Sequence, residues 1–153
     1  MLDIDRKRLD IIGSICFHAV NLEDLTIRCC EIPDIGYIPT FIDSLRSLKF
    51  LKRLELLEMK RAQNISGLVT ALVTTEGPPR SQLQQFSLRE FSDWTTESID
   101  QFFNSLPEWD ELQRLDMKSC FPLVVCSDDM RSYVKTLFTI VEQKAPFVVL
   151  HSL

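Results

Sequence analysis

Apolar side chains follow two rhythms that take turns along the chain. The first is a phrase that occurs four times in full. It reads Leu22-x-x-Leu25-x-Ile27-x-x-Cys30, then Leu51-x-x-Leu54-x-Leu56-x-x-Met59, Leu83-x-x-Phe86-x-Leu88-x-x-Phe91 and Leu112-x-x-Leu115-x-Met117-x-x-Cys120. The centre of the phrase alternates apolar and polar with a period of two, so each copy predicts a short strand with one buried face. Partial copies stand at Leu2-x-Ile4, with Leu9 following, and at Val148-x-Leu150-x-x-Leu153. Taking Leu2, Leu25, Leu54, Phe86, Leu115 and Val148 as strand markers, the spacings are 23, 29, 32, 29 and 33 residues.

The second rhythm is helical and fills the intervals. Ile12/Cys16, Phe41/Leu45 and Phe102/Leu106 are i,i+4 pairs, and each pair precedes the next strand marker by the same 13 and 9 residues. Helix starts are expected at Thr40, Thr95 and Ser127, where a hydroxyl can cap and acidic residues follow in the first turns. Asn64, which opens the formal sequon Asn64-Ile65-Ser66, reads as the cap of a helix carrying Leu68 and Leu72. The breaker run Thr75-Glu76-Gly77-Pro78-Pro79-Arg80 lengthens the third copy and is expected to form an exposed, slack loop. Strand, crossover helix and parallel strand in succession predict a curved α/β solenoid. We expect one domain over residues 1–153, about five repeats long.

The phrase resembles the leucine-rich repeat, L-x-x-L-x-L-x-x-N/C-x-L, and helix-bearing units near 29 residues resemble its ribonuclease-inhibitor-like class. The resemblance implies a parallel sheet on the concave side, helices on the convex side, and a concave face that meets the partner. It also gives Cys30 and Cys120 a space-filling role at the turn after the strand. Three columns are then expected to point out of the sheet: Asp24, Arg53, Gln85 and Arg114; Asp3, Thr26, Glu55, Ser87 and Asp116; Asp5, Arg28, Leu57, Arg89 and Lys118. From them Arg28, Arg53, Glu55, Leu57, Arg89, Arg114, Asp116 and Lys118 are the candidate protein-binding residues. Arg89 beside Lys118 is expected to be a like-charge contact, moderated by Asp116 and Glu90. Such mixed charge suits a protein partner better than a polyanion.

The stretch from Thr95-Thr96-Glu97-Ser98-Ile99-Asp100-Gln101-Phe102-Phe103 to Leu112-Gln113-Arg114-Leu115-Asp116-Met117 is similar to the C-terminal repeats of NOD-like receptors. That likeness implies a recognition segment of a cytosolic receptor involved in innate immunity. The receptors' ATPase module has no counterpart in this sequence, so nucleotide binding does not carry over. The substrate-recognition repeats of an F-box-type ubiquitin ligase receptor and a free-standing structural adaptor are the alternatives.

Composition narrows the chemistry. Hydrophobic residues are 45% and charged residues 25% of the chain, ordinary for a globular fold. A net charge of −5 makes a nucleic-acid partner unexpected. No run of about 18 apolar residues is present, so no membrane span is expected. Five Cys, an odd number without a C-x-x-C, fit buried thiols in a reducing compartment, and we expect a cytoplasmic protein. Arg6, Lys7 and Arg8 precede an apolar stretch from Ile11 to Val20, but Asp3, Asp5, Asp10 and His18 interrupt a signal-peptide pattern. His18 and His151 lie at opposite ends, without zinc spacing. Phosphate-binding glycine motifs, H-E-x-x-H and G-x-S-x-G are all missing, and Asp128-Asp129 reads as a helix start. Trp94 and Trp109 read as packing residues. Neither enzymatic activity nor a cofactor is expected. Because the chain begins within one strand and stops within another, its ends are expected to be covered by further repeats or a partner chain.

Overall fold

The computed structural model describes residues 1–30, 32, 34–58, 65–90, 95–118 and 135. Strands and helices alternate: β1 (Leu2–Asp5), α1 (Leu9–His18), β2 (Asp24–Arg28), α2 (Tyr37–Ser47), β3 (Arg53–Leu57), α3 (Ile65–Thr74), β4 (Gln85–Arg89), α4 (Thr96–Ser105) and β5 (Arg114–Lys118). The five strands form one parallel sheet in chain order. The helices pack in the same order, α1 on α2, α2 on α3 and α3 on α4. The architecture is therefore α/β, a helix layer against a five-stranded parallel sheet.

The markers pair as their spacing requires: Leu2 with Leu25, Leu25 with Leu54, Leu54 with Phe86 and Phe86 with Leu115. Register follows from burial. A slip of one residue would turn Leu25, Ile27, Leu54, Leu56, Phe86, Leu88, Leu115 and Met117 out of the core they share with the helices. Ile12, Cys16, Phe41, Leu45, Phe102 and Leu106 meet them from the helix side, all buried. Cys30 lies in the same core.

The backbone between elements also recurs. Six residues before the marker, the N–H groups of Ala19, Leu48 and Trp109 donate to the carbonyls of Cys16, Leu45 and Leu106; the N–H groups of Leu22, Leu51 and Leu112 then donate to Ala19, Leu48 and Trp109. Where one unit meets the next, a single carbonyl accepts two N–H groups. Glu23 O takes Lys52 and Arg53, Lys52 O takes Gln84 and Gln85, and Gln84 O takes Gln113 and Arg114, all at 2.8–3.0 Å. Chain entering β3, β4 and β5 is thus tied to the preceding unit before the ladder begins.

Two expectations need correction. The second helix starts at Tyr37, a turn before Thr40, with Gly36 as its cap and the Asp34 side chain accepting from Gly36 N–H at 2.8 Å. Pro39 falls in the first turn, where its missing N–H has no helical partner to lose, and buried Ile38 extends the apolar face backwards. The loop of residues 75–80 is not slack. Gly77 takes a left-handed φ of 77° and turns the chain so that Arg80 is buried, at 8% exposure. The Arg80 guanidinium donates to the Val73 carbonyl near the end of α3 at 2.6 Å and pairs with Glu108 at 2.7 Å. From the other side, Arg46 donates to the Glu76 carbonyl at 2.9 Å.

At Thr95 the expected cap is present. Its Oγ1 accepts from Ser98 N–H at 3.1 Å, and Thr70 of α3 donates to Ser98 Oγ at 3.3 Å. Thr95→Ala is expected to cost about 1 kcal/mol in thermal or urea melts, with Thr95→Ser restoring most of it. Equal stability of all three would show that the cap contributes nothing. Asn64, Trp94, Ser127, the Asp128-Asp129 pair, the phrase ends Met59, Phe91 and Cys120, and the last partial copy lie outside the described residues.

Candidate functional site

The sheet face turned away from the helices carries the three expected columns. Asp24 pairs with Arg53, Arg53 with Gln85, and Gln85 with Arg114; Asp3 pairs with Thr26, Thr26 with Glu55, Glu55 with Ser87, and Ser87 with Asp116. In the third column Asp5 pairs with Arg28, Arg28 with Leu57, and Arg89 with Lys118. All eight candidate residues therefore lie on one face. They are not equally accessible. Arg114 and Lys118 are exposed, and Arg28, Arg53 and Arg89 are half-buried. Leu57 is buried, and in the central column Thr26, Ser87 and Asp116 are buried too.

The flanking arginines fold over that centre. Arg28 Nε reaches Asp3 at 3.4 Å, and its Nη1 lies 3.7 Å from Glu58. Glu55 accepts from Thr26 at 3.1 Å and lies 3.3 Å from Arg53 Nε. Arg89 donates to Asp116 Oδ2 through Nε, at 3.1 Å, and through Nη2. The like-charge contact expected between Arg89 and Lys118 is moderated by Asp116, one of the two acids expected to do so. The two are register partners, but the Arg89 guanidinium is turned onto Asp116. Asp116 itself is only 1% exposed, and its Oδ1 is buried without a hydrogen-bond partner among the described residues. Asp116 thus positions Arg89 and does not itself offer a contact. Among the described residues Arg114 has no ion-pair partner, so it is the open cation on this face. Exposed pairs of this kind contribute about 0–1 kcal/mol each, and their weight is in complementarity.

One feature of the strand ends has no signal in the sequence. The residue four places after each of the first four markers (Arg6, Cys29, Glu58 and Glu90) has a φ between 48° and 57°. None is Gly or Asn, the residues that usually announce this conformation. Three of these N–H groups extend the ladder, Arg6 to Arg28 O, Cys29 to Leu57 O and Glu90 to Lys118 O. Between β3 and β4 the pairing stops at Leu56 and Leu88, and among the described residues no bond joins Glu58 N–H to the Arg89 carbonyl. A hollow of about 150 Å³ lies at this end of the sheet, lined by Arg28, Leu57, Glu58, Arg89, Glu90 and Lys118. It sits at the carboxyl ends of the strands.

Cys29 is at the rim. Its thiol donates to Glu58 Oε2 at 3.5 Å. Desolvation raises its pKa first, then the hydrogen bond to Glu58 and the charges of Glu58 and Asp5, against the opposing charge of Arg6. The thiolate is the reacting species, so at mildly alkaline pH Cys29 should alkylate more slowly than an ordinary thiol. Glu58→Gln should speed it severalfold in site-resolved mass spectrometry, and an unchanged rate would remove Glu58 as the cause. Burial pushes the Cys16 thiol up to about 12, so it should stay unmodified until the protein unfolds.

Among the described residues no three His, Cys, Asp or Glu side chains gather as a metal site. No helix among them is long and apolar enough to cross a membrane. Compared with known proteins, the chain matches no family model and has no significant match among curated proteins.

Proposed function

We propose that this chain is a run of leucine-rich repeats of the ribonuclease-inhibitor-like class that recognises another protein through its open sheet face, without catalysis. The observation that carries this reading is the face itself: three registered columns of mixed charge, with arginines ordered by neighbouring acids and Arg114 left open. Preorganised, mixed-charge side chains on a rigid sheet suit a protein partner. The solenoid reading draws support from the turn and ladder bonds that recur from unit to unit.

In this proposal the run belongs to a cytosolic receptor similar to the NOD-like receptors, and its first helix is covered by a further repeat or a partner chain. Support comes from Ile11 and Ile15, exposed at 44% and 36% on α1. They stand 14 and 10 residues before their marker, where α2 has Thr40 and Ser44, and Ser44 lies beneath α1 close to Gly13. By that equivalence Ile11 and Ile15 face the place of a preceding helix.

The size of the endogenous protein tests the receptor part. An antibody to this segment is expected to detect, in cytosolic extract, a chain far larger than 17.7 kDa. A band at 17.7 kDa would contradict it and favour a free-standing adaptor.

A further inference from the structure

We infer that the seam between α1 and α2, on the helix side of the molecule, is a binding pocket for a small aromatic molecule carrying an N–H or O–H donor. The seam holds an open hollow of about 390 Å³, the size of a small-molecule site. Its origin is local to this pair of helices. Gly13 stands 12 residues before its marker, where α2 has Ile42 and α4 has Phe103. A Cβ on Gly13 would come within 3.4 Å of Ser44 Oγ, so the two helices cross closely over a floor of small side chains. Beside the crossing, Leu9 and Phe41 form an apolar base. Tyr37 and Phe17 line the same space, and Phe17 is 63% exposed where the other units have Arg46, Pro78 and Pro107. An exposed aromatic next to a hollow is an uncovered apolar surface, which a flat ring would bury.

Hydrogen bonding sets the polarity of the ligand. Ser14 Oγ donates to the Asp10 carbonyl at 3.1 Å and Ser44 Oγ to the Thr40 carbonyl at 2.9 Å. The His18 Nδ1 atom lies 2.8 Å from the Ser14 carbonyl; a carbonyl only accepts, so Nδ1 carries the proton. These three donors are committed to their own helices. What they leave for a ligand is acceptor capacity, the lone pairs of both serines. The Asp10 carboxylate, held by Arg8 at 3.2 Å, adds another acceptor to the lining. An aromatic ring with a donor fits both the walls and this surplus.

Indole and 1-methylindole, which share a ring system and differ in the donor, are the probes. Each is titrated into the isotopically labelled full chain while amide shifts are followed. Indole is expected to shift the Gly13, Phe17 and Ser44 amides saturably, and 1-methylindole to bind at least about threefold more weakly. Ser14→Leu, a change at an exposed position, is expected to block binding while sheet amides stay in place. Phe17→Ala, which only removes a wall, is expected to weaken it. The inference is overturned if indole produces no saturable shift at these amides. It is equally overturned if 1-methylindole binds as well as indole, or if neither variant changes the titration.

Discussion

Trp109→Ala is expected to destabilise the fold by about 3–5 kcal/mol, a large part of what holds a domain of this size together. Trp109 is 1% exposed and sits with Phe86, at a centroid distance of 5.3 Å, and Phe102, at 6.2 Å. Phe102 in turn meets Phe103 edge to face at 5.5 Å. Truncation would remove both ring contacts and leave a cavity that these neighbours, held by α4 and β4, cannot fill by collapse. The indole Nε1 donates to Ser105 Oγ at 3.2 Å, and Ser105 Oγ donates onward to the Phe102 carbonyl at 2.7 Å. Ser105 keeps that second bond in the variant, so the loss is mainly one of packing. Trp109→Phe, which retains most of the volume, should therefore cost well under half as much. Urea melts decide it: the midpoint should fall with an unchanged slope, and a loss under about 1 kcal/mol would show that Trp109 is not in a packed core.

The Arg89–Asp116 pair should respond asymmetrically. Arg89→Met is expected to cost about 3 kcal/mol, and Asp116→Asn no more than about 1 kcal/mol. The reason lies in the exposures, 40% for the Arg89 side chain against 1% for Asp116. Without Asp116, the guanidinium turns to water. Without Arg89, the carboxylate stays buried with no cation and with an Oδ1 that already has no partner among the described residues. The opposite ranking of the two variants would contradict the burial of Asp116.

Strand register was legible because one period-two phrase recurred at every full copy and one pair of helical offsets agreed with it at three of the markers, Leu25, Leu54 and Leu115. Leu25, Leu54, Phe86 and Leu115 could be aligned before any contact was known, and they pair in that alignment. Helix ends were less legible. Thr40 has a capping side chain but lies one turn inside α2, because Pro39 fits a first turn and Ile38 adds to the buried face. Arg80 was misread for a different reason. A cation after Gly77-Pro78-Pro79 has the composition of a solvent loop, and only the position of the Val73 carbonyl turns it inward. Left-handed backbone at Arg6, Cys29, Glu58 and Glu90 has no glycine or asparagine to betray it. For the candidate face, its membership could be read from alternation, but its accessibility could not. Burial of Asp116 and Leu57 depends on how neighbouring long side chains fold over them, and periodicity does not encode that.

The central claim is that this protein meets its partner with the sheet face and not with the helices. It is tested by placing p-benzoylphenylalanine at Arg114, the open cation of the sheet, or at Asp43 on α2, whose side chain is 73% exposed. Arg114 suits the purpose better than Arg89, whose reversal would set two carboxylates against each other beside Asp116. Irradiation in cytosolic extract is expected to give a discrete adduct from position 114 alone. Excess unlabelled protein should compete that adduct away, and the Arg114→Glu variant should do so much less well. Adducts of equal yield from position 43, or competition by the Arg114→Glu variant as strong as by the unaltered protein, would contradict the claim.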